Sequence, residues 1–583
     1  MPFNWLDYTV IAAYIALMVI VGYYAQKRGQ DTLEDYFTGS KNLPWWLIGI
    51  SMVATTFAAD TPLAVTGIIA SDGVAGNWIW WNFMFSGLFT VFLYAKLWKR
   101  ADVITDVEFI SIRYAGKPAR ILRGFRSLYL AFPINCIILG WVTVGMAKIL
   151  TVLLGAQNLM MELGPFSFAA EWVIILVMYL FIGIYIAFSG LWGVIITDFV
   201  QFIIAMGGSI LLAWYAVDYV GGLDQLQVEL TNLFGEGHHY LSINPLNSPE
   251  IAIATGLVWV GMMWWASWYP GSEPGGGGYI AQRMFSAKDE RNAVGGTLLF
   301  NVAHFALRPW PWILVALVAM VVYPGLEDPE TGYPLLMLKL LPAGLLGLLA
   351  VAFLAAFVST VSTHLNWGAS YVVNDFYKPF IKQEYKFESK EKAQKHYVRV
   401  SRWTTILMMV SAALVSLMFD TVRGGWEAIL SIGAGTGLVY MLRWFWWRIN
   451  AWSEIAAMSA AAIGFGLTKL LGYEDFAQQM IFTTIFATII WVGATYITAP
   501  TDEKTLQKFF DRVKPGGPGW SRFHTAGEET YSLIPGVINV FISSVSIIAL
   551  LFGMGQIFFE SMALGLACFV VGVGGLWYLV KKI

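Results

Sequence analysis

Cysteine is nearly absent: the 583 residues contain two, Cys136 and Cys568, both inside apolar runs. Neither a disulfide framework nor a cysteine-based metal site is expected from them. Charge is scarce too, at 13% of residues, against ~25% in an ordinary soluble domain. No HExxH or GxSxG arrangement stands where it would serve an intramembrane enzyme. No connection between apolar runs is long enough for a soluble catalytic or signalling domain, and nothing calls for nucleic acid or an obligate protein partner. The first apolar run, 8–25, has no basic segment before it and no small-residue cleavage site after it. It reads as a retained helix and not a signal peptide.

Hydrophobic surface is what the chain has in abundance, at 57% of residues with 16% aromatic. Apolar runs of about twenty residues recur, the length that crosses a ~30 Å hydrocarbon layer. Fifteen candidate spans follow, at 5–25, 44–71, 78–98, 122–155, 168–190, 192–219, 250–269, 294–323, 341–375, 400–419, 426–449, 451–472, 477–499, 534–557 and 561–580. With the N-terminus outside and the C-terminus cytoplasmic, nearly every Lys and Arg falls on or beside an inner connection, as the positive-inside rule requires. Examples are Lys99, Arg100, Arg113, Arg123 and Arg126; Arg283, Lys288 and Arg291; and Lys581 and Lys582. The expected class is an all-α polytopic protein of the plasma membrane, with the lipid bilayer as its surroundings.

An ionisable group inside a span is expensive and marks a functional candidate. Asp60 precedes Pro62 in the second span. Proline removes a backbone donor and pushes its predecessor out of the helical region, so a broken helix lining a site is expected there. A plain kink with Asp60 in a salt bridge is the simpler alternative. Asp198 near the inner start of the sixth span reads either as a functional carboxylate or as an interfacial acid. Arg308 shares a helix face with His304 and precedes Pro309 and Pro311. It is expected to neutralise Asp60 or to clamp a solute carboxylate. Trp264, Trp265 and Trp268 read equally as interfacial belt or as walls of a solute chamber. The hydroxyls of Ser359, Thr360, Ser362 and Thr363 gather mid-span beside Ala355 and Ala356. Such oxygens suit a small hard cation, or bond back to the preceding turn.

Read together, these residues resemble the sodium:solute symporter family. The resemblance covers about residues 7 to 447. It rests on Asp35-Tyr36-Phe37-Thr38-Gly39, the 54–67 segment, Thr197-Asp198 with Gln201, Tyr279-Ile280-Ala281-Gln282-Arg283 leading to Ala287-Lys288, and the 355–363 hydroxyl run. It implies a five-plus-five inverted-repeat (LeuT-like) core with one preceding helix and about four further C-terminal helices. The divisions would be 1–43, a first repeat at 44–219, an outer loop at 220–249, a second repeat at 250–449, and additional helices at 450–583. It also implies a first sodium site made by the carbonyls of Ala54, Phe57 and Ala356 with the hydroxyls of Ser359 and Thr360. A second sodium would take Asp198, Ser362 and Thr363. Solute binding would fall to Asp60, Thr61, Trp265, Tyr269, Arg308, Trp426 and Glu427. Sugar transporters of the family carry a Glu-Gln pair at Asp60-Thr61, an Asn-Gln at Gly277-Gly278 and a Lys at Arg308. The expected activity is sodium-coupled import of a small polar organic solute, a sugar ahead of a carboxylate or amino acid. A channel and an intramembrane enzyme are the alternatives.

Overall fold

A computed structural model of the chain describes residues 3–26, 43–103, 106–157, 159–163, 166–186, 191–246, 251–266, 273–524 and 532–582. Nine of its helices are long and apolar enough to cross a membrane, or eleven counting two sharply bent pairs, among the described residues. A helix or a broken helix stands at each of the fifteen expected spans. A short antiparallel hairpin, Met160–Leu163 with Phe166–Ala169, is a small departure from an all-helical chain.

Three breaks shape the interior. The first separates Trp45–Thr55 from Asp60–Asp72, whose axes differ by 63°. Pro62 sits in the first turn of the second piece, where a helix has no intrahelical use for that N–H. The proline therefore starts the second piece without cost and prevents the first from running through it. The second break lies between Ile253–Gly261, with its following turn Met263–Trp265, and Gly278–Phe285. Gly275, Gly276 and Gly278 there have positive φ (94°, 81° and 48°), which costs a side chain-bearing residue free energy. The third bends Val422–Gly433 against Gly437–Phe445 by 47°.

Wide π-turns interrupt other spans at Thr90–Tyr94, Leu130–Ile134, Val302–Leu307 and Tyr371–Ile381. Pro133 and Pro379 lie inside two of them, and Pro309 follows Arg308 just after a third. Each proline withholds a helix donor, and the widened turn absorbs the mismatch.

Packing follows from residue size. Trp45–Thr55 lies against Glu290–Asn301 so closely that a Cβ on Gly49 would come 2.8 Å from the Gly296 carbonyl oxygen. Leu345–Ser370 packs on Leu191–Tyr219 and on the helix Asn135–Leu153. The later helices pair as hairpins, Ala451–Leu470 with Phe476–Ile497 and Leu533–Phe559 with Met562–Lys582. The tryptophans divide as expected. Trp81, Trp98, Trp141, Trp310, Trp312 and Trp444 are fully buried, while Trp5, Trp45, Trp46, Trp172, Trp214, Trp403 and Trp577 are exposed.

Candidate functional site

Unwinding at Thr56–Ala59 frees backbone oxygens at membrane depth, and Arg308 takes one of them. Its Nη1 donates to the Val53 carbonyl (3.1 Å) and to Thr56 Oγ1 (3.0 Å). The guanidinium lies 5.1 Å over the Trp312 ring and 6.0 Å over Phe57. Thr56 Oγ1 also meets His304 Nδ1 at 3.3 Å. The π-turn Val302–Leu307 turns His304 and Arg308 toward the break together. A contact ion pair with Asp60, one of the two roles expected for Arg308, is not formed. Arg308 acts on Asp60 as a more distant charge.

Asp60 itself is 3% exposed, and its Oδ1 has no hydrogen-bond partner among the described residues. The indoles of Trp141 and Trp426 are directed at the carboxylate. It can sit so deep because Gly145 carries no side chain: a Cβ there would meet the Asp60 Cα at 2.8 Å. A buried carboxylate oxygen left without a partner costs free energy, so its surroundings are those of a binding site and not of a finished core.

Asp60, Thr61, Arg308 and Trp426 border one cavity of about 70 Å³, together with Thr56 and His304. Four of the seven residues expected to bind solute thus converge. Three are not placed on this wall. Glu427 turns away and pairs with Arg423 at 2.8 Å; one position along a helix is ~100°, enough to separate it from Trp426. Trp265 is packed elsewhere, its carbonyl oxygen 1.3 Å from where a Cβ on Gly437 would be. Tyr269 lies outside the described residues.

The wall also contains residues that sequence reasoning passed over. Ser86 and Thr90 come from the third span, Thr297 and Asn301 from the eighth, and Glu273 from the second break. Asn301 is three residues before His304 and seven before Arg308, a helical-face spacing that would have revealed it. Trp80, Phe83, Phe300 and Phe305 supply apolar faces. The cavity therefore combines aromatic surface with hydroxyl, amide and charged groups, the makeup of a small-molecule site.

Beside this cavity the break meets the hydroxyl helix Leu345–Ser370. Phe57 stacks on Phe353 with ring centres 6.0 Å apart and planes within 10°. Ala54, Phe57, Ala356, Ser359 and Thr360 are all buried, Ser362 as well, and Thr363 half-buried. The Ser362 hydroxyl donates to the Ser359 carbonyl at 3.0 Å. That bond uses its proton and leaves oxygen lone pairs available. The Phe57 amide donates to the Ala54 carbonyl at 3.0 Å, and a carbonyl oxygen likewise keeps a second lone pair. The donor set is neutral oxygen throughout, which fits a hard monovalent cation. Helix Leu191–Tyr219 carries Asp198 and packs on both partners, but the Asp198 side chain lies outside the described ones.

Charge clusters close both ends. At one end Lys148 Nζ bridges Glu330 (2.6 Å) and Asp328 (2.7 Å). Glu330 also accepts from the Val422 and Arg423 amides, capping Val422–Gly433. Arg423 then joins Asp72 at 2.6 Å. At the end rich in Lys and Arg, Arg126 reaches Glu273 at 2.5 Å and Glu454 at 3.3 Å, and Arg443 reaches the same two acids at 3.5 and 3.3 Å. Tyr114 donates to Glu454 at 2.6 Å. Burial of so many charges is tolerable because each faces an opposite partner.

Comparison with known proteins places this arrangement. Residues 36–464 match the model of the sodium:solute symporter family. The sodium/glucose cotransporter of Vibrio parahaemolyticus is 25% identical over 86% of this chain and 92% of its own length. Sodium/glucose cotransporter 1 of Oryctolagus cuniculus is 23% identical over 80% of this chain and 72% of its own. Among solved structures, a Na+-coupled sialic acid symporter in a substrate-bound outward-open state has the same fold. Its TM-score is 0.61 at 18% identity, with 86% of this chain and all of that one covered.

Proposed function

This chain belongs to the sodium:solute symporter family, and we propose that it imports a neutral polyhydroxylated solute, a sugar, on the sodium gradient. The observation that carries the solute reading is the convergence of Asp60, Thr61, Asn301, Arg308 and Trp426 on one cavity with aromatic walls. A sugar ring presents apolar C–H faces to aromatic rings and hydroxyl edges to polar groups, and these walls offer both. The curated relatives named above carry glucose in their names. A carboxylate-bearing solute is the second reading, favoured by the Arg308 guanidinium on the same wall.

Sodium enters as a co-substrate. Ala54, Phe57, Ala356, Ser359 and Thr360 would hold it where the break meets the hydroxyl helix. Asp198, Ser362 and Thr363 would hold a second ion. Filling the first site fixes the unwound Thr56–Ala59 segment, and that segment positions Asp60 and Thr61 for solute. Ion and solute then stabilise one state together, a reciprocal coupling. The repeats at 44–219 and 250–449 supply the two broken helices, and the charge clusters open in turn at either end. We place the chain in the plasma membrane, N-terminus outside and C-terminus cytoplasmic.

Uptake of labelled glucose into proteoliposomes under an inward sodium gradient tests the solute class. Competition by a panel of sugars, polyols, carboxylates and amino acids ranks them. Sugars are expected to compete best; competition by carboxylates alone would move the assignment to the second reading.

A further inference from the structure

Beyond residues 36–464, the stretch matched to the family, lies a short amphipathic segment made of the helix Glu503–Val513 and the turn Pro518–Phe523. Leu506, Phe509, Phe510 and Val513 recur at helical spacing and are buried, while Lys504, Lys508 and Arg512 on the other face are exposed.

The buried face is wedged against two separate parts of the chain. On one side it packs on Ala95–Ala101 and Phe109–Arg113. There Phe509 lies 5.7 Å from the Phe109 ring, and Arg512 donates to the Asp102 carbonyl at 2.9 Å. On the other side the segment holds the end of Gly437–Phe445. Trp520 Nε1 donates to the Trp444 carbonyl at 2.8 Å, and the Trp447 amide donates to the Gly519 carbonyl at 3.3 Å. Gly519 sits so close that a Cβ there would come 2.0 Å from the Phe445 carbonyl oxygen.

Arg113 joins the two sides. Fully buried, it donates to the carbonyls of Arg443 (2.8 Å), Trp446 (3.1 Å) and Ile449 (3.1 Å). These are carbonyls that a helix end leaves without partners, and they attract a cation. Its guanidinium also lies 5.4 Å over Phe509 and 5.1 Å over Trp520. From here contact runs on to the solute cavity. Trp444 and Trp98 have ring centres 4.7 Å apart, and the Trp98 indole donates to the carbonyl of Gly275, between the cavity-wall residues Glu273 and Gly276.

We propose that 503–523 is a clasp that holds the Lys- and Arg-rich end of the solute pathway closed and lets go of the end of Gly437–Phe445 at each opening there. This rests on the transport reading above. Opening at this end parts Arg126 from Arg443 and the acids they share, and the clasp adheres on both sides of that parting. Each bond it makes across it adds to the free energy of opening, so the segment sets how long the cavity stays shut from this face.

The test labels Ser86→Cys on the cavity wall with a membrane-impermeant thiol reagent, in a chain carrying Cys136→Ala and Cys568→Ala, from each face of sealed vesicles in turn. The clasp face is the one from which the exposed Lys508→Cys reacts. Trp520→Phe keeps an aromatic ring and removes the donor to Trp444; Arg512→Ala removes the donor to Asp102. Each is expected to raise Ser86→Cys labelling from the clasp face about fivefold, the worth of one hydrogen bond, and to lower it from the opposite face. Labelling from the clasp face at the parental rate in the Trp520→Phe, Arg512→Ala double variant overturns the proposal. So does an equal rise from both faces, the mark of a loosened fold and not of a released clasp. Labelling needs no solute, so a parent that fails to carry glucose would sink the sugar assignment while the clasp is still judged by these rates.

Discussion

Glu273 lies 2.5 Å from the fully buried guanidinium of Arg126 and at the same time forms part of the solute cavity wall. The glycines that follow make this possible. Gly275 presses on the Tyr94 ring and Gly276 on Thr90, positions where a Cβ would come within 2.8 and 3.0 Å. The second break is thus both a wall of the cavity and part of the Arg126–Arg443 charge cluster.

Glu273→Gln is expected to loosen that wall. Removing one partner of a buried pair typically costs ~3–5 kcal/mol. Arg126 keeps Glu454 and Arg443 keeps the same acid, so the lower end of that range applies. Thermal unfolding in detergent should shift downward, and Ser86→Cys on the cavity wall should react faster with a thiol reagent from the inner side. A variant as stable and as shielded as the parent would remove Glu273 from the closure.

Ser359→Ala and Thr360→Ala each delete one oxygen from the proposed sodium cage. Each should raise the sodium concentration for half-maximal uptake severalfold, and the pair should do more than either alone. One hydrogen bond-sized ligand contribution of ~1 kcal/mol corresponds to about fivefold. Unchanged sodium dependence in the double variant would put the cage elsewhere.

Asp198→Asn probes the second ion. If Asp198 holds sodium with Ser362 and Thr363, neutralising it should flatten the steepness of sodium dependence while the Ser359 site still fills. A sodium-to-solute ratio of one in the unaltered protein would falsify the two-ion account and leave Asp198 a gating or structural acid.

Arg308→Gln should harm transport, and Asp60→Asn should not rescue it. Rescue is the signature of a contact ion pair, whereas Arg308 is bonded to Val53 and Thr56 at the break. Thr56→Val, which deletes one of those acceptors, should reproduce part of the Arg308→Gln defect. Recovery of uptake in the Asp60→Asn, Arg308→Gln double variant contradicts this assignment.

What the sequence revealed and what it hid divide along a physical line. Asp60 and Arg308 stood out because a charge in an apolar run is costly wherever the run lies, and Pro62 and Pro309 announced broken geometry from local chemistry alone. The partner of Arg308 was not legible, since it depends on how the π-turn Val302–Leu307 rotates the side chain toward Val53. Trp426 and Glu427 were inseparable in a one-dimensional pattern, and only helix rotation put one on the cavity and the other on Arg423. Glu273 carried no signal of its own. Its role arises from Arg126 and Arg443, which arrive from spans far away in the chain.

The most direct test of the whole account is solute accumulation in proteoliposomes with an inward sodium gradient, compared with an equal potassium gradient. Coupling through the Ala54–Ser359 region predicts concentrative uptake with sodium, none with potassium, and collapse when an ionophore dissipates the sodium gradient. Equal accumulation under sodium and potassium would contradict sodium coupling outright.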